Sequence, residues 1–178
     1  MVIKEMTEPE CHAMLAGTNV ARLACARANQ PYIVPIQFGF EGGYLYSFST
    51  DGQKIDWMRQ NSLVCLEIDE VTTQMQWASV VVLGYYEELP PTLQHADLRR
   101  VAERLFQKRP MWWEPGSVEL ASHEQRTPIV FRIRIDSVTG RRATPDAHPK
   151  GMHVKGNAPV TTRLRSFVHF LRHMTVRR

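Results

Sequence analysis

Cysteine is scarce in this sequence. Cys11, Cys25 and Cys65 stand far apart and never form a CxxC pair. That spacing argues against a disulfide framework or a structural zinc site and suits a reducing compartment, so the expected location is the cytoplasm and no metal is expected. Long hydrophobic runs are missing as well. No stretch approaches the roughly 20 apolar residues of a membrane-spanning helix, and the opening MVIKEMTEPE lacks the apolar core of an export signal. There is no internal repeat and no low-complexity block. What is present is a chain of 178 residues with 43% hydrophobic side chains, enough for one ordinary core with appendages.

Acidic residues are almost absent from one end. Residues 141–178 carry nine Lys or Arg against Asp146 alone, a formal +8, which leaves −4 on the rest within an overall charge of +4. The body is therefore mildly acidic and the basic character belongs to the tail.

The chain opens with a predicted helix. Thr7-Glu8-Pro9-Glu10 has capping-box spacing, Cys11, Met14 and Leu15 give an apolar side, and Gly17 ends it. Val20–Arg27 and Pro31–Phe40 read as strands, with Tyr32, Val34, Ile36, Phe38 and Phe40 on one face. Pro35 has no N–H to donate, so the second strand belongs at a sheet edge or a bulge. Glu41-Gly42-Gly43 is a hairpin turn into Tyr44–Ser49. Lys54–Gln60 is a short helix, and Val64, Leu66 and Ile68 then alternate with polar neighbours in a half-buried strand. After a loop comes Trp77–Glu88, in which Gly84 marks a bulge or a close backbone approach. Thr92–Lys108 is helical, residues 109–128 are irregular, and Ile129–Val138 is the last strand.

Six strands in hairpin succession predict a mainly β fold, an antiparallel barrel with peripheral helices. The faces Tyr32/Val34/Ile36 and Ile129/Phe131/Ile133 look like more apolar surface than one small barrel and two short helices cover, which predicts surface shared between chains.

The chemistry is concentrated in the turn between Tyr44–Ser49 and the short helix. Ser49 and Thr50 offer hydroxyls, Gln53 an amide and Lys54 a cation, beside a helix start whose backbone N–H groups lack intrahelical partners. That set suits a dianionic phosphate. The alternative is a capped helix with a solvated lysine.

In order, the opening helix with VARLACA, then QPYIVPIQFGF, LYSFSTDGQKIDWMRQNSLVCLEID, WASVVVLGYYEEL and VFRIRIDSVTGRRA resemble the pyridoxamine 5′-phosphate oxidase-related, FMN-binding split-barrel proteins, in the subgroup that includes the nitroimidazole-resistance proteins. The resemblance covers residues 5–143 and implies a six-stranded split barrel over 1–143, paired as a homodimer with two FMN molecules in grooves at the interface. It implies an oxidoreductase acting on a small organic molecule. It places Ser49, Thr50, Gln53 and Lys54 around the phosphate, with Gln53 in a slot often filled by arginine. Val34, Pro35, Ile36 and Gln37 would run beside the flavin ring. Trp77 and Ser79 would approach it from the partner, and Trp113, beside Trp112, sits in a loop that covers the flavin in relatives.

The sequence departs from the family in two places. The C-terminal Arg/His substrate motif of the oxidases proper is absent, and Phe48 stands where some resistance-type relatives carry a histidine. No residue stands out as an acid–base catalyst. The alternatives are a flavin- or haem-binding carrier or sensor without turnover, a deazaflavin-dependent reductase, or a nucleic-acid-associated protein. The last would use the tail: a linker over 144–159 punctuated by proline and glycine, then a basic amphipathic helix over 160–178, with Leu164, Phe167, Val168, Leu171 and Met174 in one stripe. Burial of that stripe on the protein itself is the reading favoured over nucleic-acid binding.

Overall fold

Eight strands pair into one antiparallel sheet in the computed structural model, which describes residues 1–108 and 128–146. They are β1 (Val2–Glu5), β2 (Val20–Arg27), β3 (Gln30–Gln37), β4 (Gly39–Glu41), β5 (Tyr44–Ser49), β6 (Leu63–Thr73), β7 (Gln76–Glu88) and β8 (Ile129–Thr144). Three helices accompany them: α1 (Glu8–Gly17), α2 (Gln53–Gln60) and α3 (Ala96–Gln107). The sheet order is β3-β2-β6-β7-β8-β5-β4, with β1 against the end of β8. Its two edge strands, β3 and β4, are consecutive in sequence and separated only by buried Phe38. The chain itself therefore joins the two edges of an otherwise split barrel. All described strands lie in the unit Met1–Asp146. The tail calls beyond residue 146 and Trp113 fall outside the described residues.

The strand count is eight where six were expected, for two physical reasons. The segment Pro31–Phe40 is not one strand: the chain leaves β3 at Phe38 and re-pairs with β5 as β4. Val2–Glu5 is short and exposed along its length, so no periodicity announces it; it is ordered by pairing with Arg141–Thr144 of a β8 longer than expected. The loop foreseen after Asp69 is instead a tight hairpin between β6 and β7. Pro35 lies on an edge strand, where a missing donor costs no ladder bond.

Inward positions of the strands form one core with α1 and α2, including Leu23, Ile36, Phe38, Leu45, Leu66, Val80, Phe131 and Ile133. A second cluster packs α3 on the outer side of β5 and β8, through Tyr46, Leu89, Ala102 and Val130. Phe48 belongs to this outer cluster and meets Phe106 edge-on at 4.9 Å between ring centroids. The expectation of shared apolar surface from the Tyr32 and Ile129 faces is corrected here. Ile36, Phe131 and Ile133 are buried, and Tyr32, Val34 and Ile129 pack against the same core within one chain. The exposed apolar side chains point the other way.

Gly84 lies where the pairing of β7 with β8 shifts register. A Cβ there would collide with the Arg134 carbonyl oxygen and stand 2.9 Å from Ile133 Cγ2. Gly84→Ala should therefore destabilise the protein by about 1–3 kcal/mol, the usual cost of overpacking, and denaturant unfolding would measure it. Among the described residues, no helix is long and apolar enough to cross a membrane.

Candidate functional site

The site grows from the end of β5. Along this strand Leu45, Ser47 and Ser49 are buried while Tyr44 and Phe48 are half-buried toward α3, so two serines occupy core-facing positions. Ser47 Oγ donates to the Gln37 carbonyl at 2.7 Å. That bond fastens β5 to the end of β3, so the turn after Ser49 starts where Val34–Gln37 finishes. Ile36 and Gln37 are buried, Val34 is half-buried and Pro35 is exposed. The structure thus brings Val34, Pro35, Ile36 and Gln37 to the same end of the barrel as the turn.

The turn leads into α2 through Gly52, and no side chain caps the helix. Asp56 N–H, bonded to the Gly52 carbonyl at 3.1 Å, is the first N–H satisfied by the helix. The amides of residues 53–55 precede it, and such N–H groups suit an anion. Thr50 and Gln53 are exposed. The Ser49 hydroxyl donates to the Thr50 carbonyl at 2.8 Å, so its proton is already engaged.

Lys54 is half-buried, and burial lowers its pKa from the usual lysine value. No carboxylate of the described residues pairs with it. Its titrating neighbour is Cys25, whose thiol is itself pushed up by burial and so offers no anion. A desolvated cation without a counter-charge, beside an uncapped helix start, is an electrostatic arrangement that an anion would complete. The one acid of the turn, Asp51, is held elsewhere, by an arginine that also binds Glu88 of β7. Arg59 Nη1 lies 3.1 Å from Asp51 Oδ1, and its Nε and Nη2 bind both oxygens of Glu88 at 2.8 and 2.9 Å.

The other half of the expected site lies far off in the same chain. Ser49 pairs with Ile129, at the start of β8, whereas Trp77 pairs with Ala143 near its end. At about 3.3 Å per residue those positions are roughly 45 Å apart along the strand path. Trp77 lines an open recess with Glu70, Thr72, Gln76 and Arg142. Ser79 donates to Glu67 Oε1 at 3.0 Å, inside a cluster in which Arg22 also binds Glu67 and Asp69. One chain therefore unites Val34–Gln37 with Ser49–Lys54 and leaves Trp77 and Ser79 at the opposite end. Sequence reading missed Ser47, Arg59 and Glu88. Ser47 had a signal, a serine at a core-facing strand position; the ion pair joins residues 29 apart and had none.

Comparison with known proteins agrees with this architecture. An uncharacterized protein of Rhizobium meliloti (strain 1021) is 45% identical over 146 residues, which is 80% of this chain and 97% of that one. The crystal structure of a protein from Mesorhizobium loti, described as FAD-binding, is 40% identical with a TM-score of 0.69, covering 81% of this chain and all of that one (100%). A proposed 5-nitroimidazole antibiotic resistance protein from Bacteroides thetaiotaomicron shares the fold at 17% identity and a TM-score of 0.56, covering 80% of this chain and 89% of that one. Residues 7–142 match the family model described as pyridoxamine 5′-phosphate oxidase. With a match over most of its length and an antiparallel split-barrel sheet, the chain belongs to the pyridoxamine 5′-phosphate oxidase family.

Proposed function

We propose that this protein binds a flavin nucleotide by its 5′-phosphate at the turn Ser49–Lys54 and serves as an oxidoreductase for a small organic molecule. The observation that carries the reading is Lys54, half-buried and without a carboxylate partner among the described residues, beside an uncapped helix. When bound, a flavin supplies the electron-transfer chemistry, so the chain need not contain an acid–base catalyst. Lys54 and the amides of α2 would hold the phosphate. The edge strand β3 would lie along the ring, with exposed Pro35 presenting no N–H there.

The nucleotide is FMN in the simplest form of this reading. The FAD-binding description of the Mesorhizobium loti protein favours a second form. Thr50, Asp51, Gly52 and Gln53 are all exposed, so a substituent on the phosphate would run out into solvent. Titrating the flavin-free protein with riboflavin, FMN and FAD tests both. Tight binding of FMN with much weaker riboflavin supports the phosphate site, and FAD binding as tightly as FMN supports the open turn. Equal affinity for riboflavin and FMN would refute it.

The site is completed in this reading by a second copy of the chain. Trp77, Ser79, Val81, Leu83 and Tyr85 alternate with the buried residues of β7, so they share its outward face. A two-fold axis across that face would carry one protomer's Trp77 toward the other protomer's turn, and isologous contact uses the same patch twice. Light scattering on the flavin-bound protein should give the mass of a dimer; a monomer with flavin still bound would contradict this.

A further inference from the structure

Arg59 binds three acids at once; Asp51 lies within the proposed phosphate turn and Asp56 just after it. Its Nη1 lies 3.1 Å from Asp51 Oδ1 and 3.9 Å from Asp56 Oδ1. Its Nε and Nη2 form a two-bond fork with Glu88. Glu88 is anchored in turn by Tyr86, whose hydroxyl donates to it at 3.0 Å and whose ring is 7% exposed in the core. A chain of contacts thus runs from the core through Tyr86, Glu88 and Arg59 to Asp51.

Asp51 precedes Gly52, the residue at the uncapped start of α2. A carboxylate in that position is drawn to free helix amides, since aspartate is a favoured cap and the helix start carries partial positive charge. Left alone, Asp51 would compete with any anion for the same donors and repel it as well. We propose that Arg59 is a positioning residue for phosphate binding: it holds Asp51 and Asp56 aside, so that Lys54 and the amides of α2 face the ligand. The proposal rests on the phosphate reading of this turn. Arg59 acts through the two aspartates and does not itself touch the phosphate.

The test is a set of titrations of the full-length, flavin-free protein with FMN and riboflavin. Arg59→Ala should weaken FMN binding by about tenfold or more, the scale of one charge-assisted contact, while leaving riboflavin affinity unchanged. Adding Asp51→Asn to that variant should restore most of the lost affinity. Because the carboxylates are exposed, the Arg59→Ala defect should also shrink as salt is raised.

Arg59→Lys keeps the test alive if the alanine variant does not fold. It retains a cation but not the fork, so its FMN affinity should fall between the two and rise with Asp51→Asn. Asp51→Asn alone should leave FMN affinity intact. If FMN and riboflavin bind the parent protein equally, the phosphate reading fails and this proposal with it. If FMN is preferred but Arg59→Ala weakens both ligands alike, or Asp51→Asn fails to restore binding, only the positioning role is overturned.

Discussion

Lys54→Met should have two effects of opposite sign: weaker FMN binding and a more stable flavin-free protein. In the flavin-free chain the ammonium is half removed from water and gains no carboxylate from the described residues in return. Burial accordingly lowers its pKa. A base that holds its proton less tightly folded than unfolded opposes folding at neutral pH. That cost is relieved as pH rises through the lowered value toward the usual lysine range. Methionine keeps the unbranched apolar stem and removes the charge, so the melting temperature of the flavin-free protein should rise. For the ligand the change removes one charge-assisted hydrogen bond, worth roughly 1.5–3 kcal/mol. That corresponds to about 10–150-fold in affinity.

Riboflavin, which lacks the phosphate, should not respond to the substitution. In the parent protein a bound phosphate supplies the missing counter-charge and raises the pKa of Lys54 again. FMN affinity should therefore fall in alkaline buffer as Lys54 loses its proton. Fluorescence titration and thermal melting of the two proteins measure all of this. A variant with unchanged melting temperature and unchanged FMN affinity would mark Lys54 as an ordinary solvated lysine and remove the basis of the phosphate site.

Much of this arrangement was legible in the sequence because local chemistry determines it. The turn between β5 and α2 follows from a strand, an Asp-Gly break and a short amphipathic helix. The edge position of β3 follows from Pro35, and the register shift and close backbone approach at Gly84 from a glycine inside a β-branched run. The capping box was legible too: Glu10 accepts from the Thr7 N–H at 2.8 Å. What escaped depends on distant partners. β1 is ordered by pairing with β8, and Phe38 separates two strands because the chain leaves β2 there and pairs again with β5.

For the site, the residue types of Ser49–Lys54 were legible but their state was not. That no acid of the described residues pairs with Lys54, that Ser49 has already engaged its proton and that Arg59 holds Asp51 all depend on folding. The expectation of shared surface from the Tyr32 and Ile129 faces failed for a related reason. Periodicity identifies the apolar face of each strand but not how completely one barrel encloses all of them.

Leu83→Glu should split the proposed dimer and abolish flavin binding together. Leu83 is 50% exposed on the outward face of β7, and Ile33 on β3 is 61% exposed. The pairing registers place them in one transverse row, Ile33–Ala24–Cys65–Leu83, across four neighbouring strands. Opposed residues of paired antiparallel strands project to the same side. The row is therefore an apolar band on the barrel's outer wall, extended by exposed Leu63 on β6. Contiguous exposed apolar surface of this kind marks an interaction site. Trp77 and Ser79 lie on the same face of β7 as Leu83, so a partner seated on the band would also reach the part of the proposed site that one chain leaves remote. A carboxylate within the band would have to be buried at the contact without a counter-charge, which is strongly unfavourable. The monomer should still fold, because the band faces away from the core. Leu93→Glu is the control: Leu93 is 97% exposed and stands outside the row, so its substitution should change neither mass nor flavin affinity. Light scattering and flavin absorbance on the two variants decide the matter. If Leu83→Glu stays dimeric, the interface lies on another face; if it becomes a monomer that still binds FMN as tightly as the parent, the flavin needs only one chain.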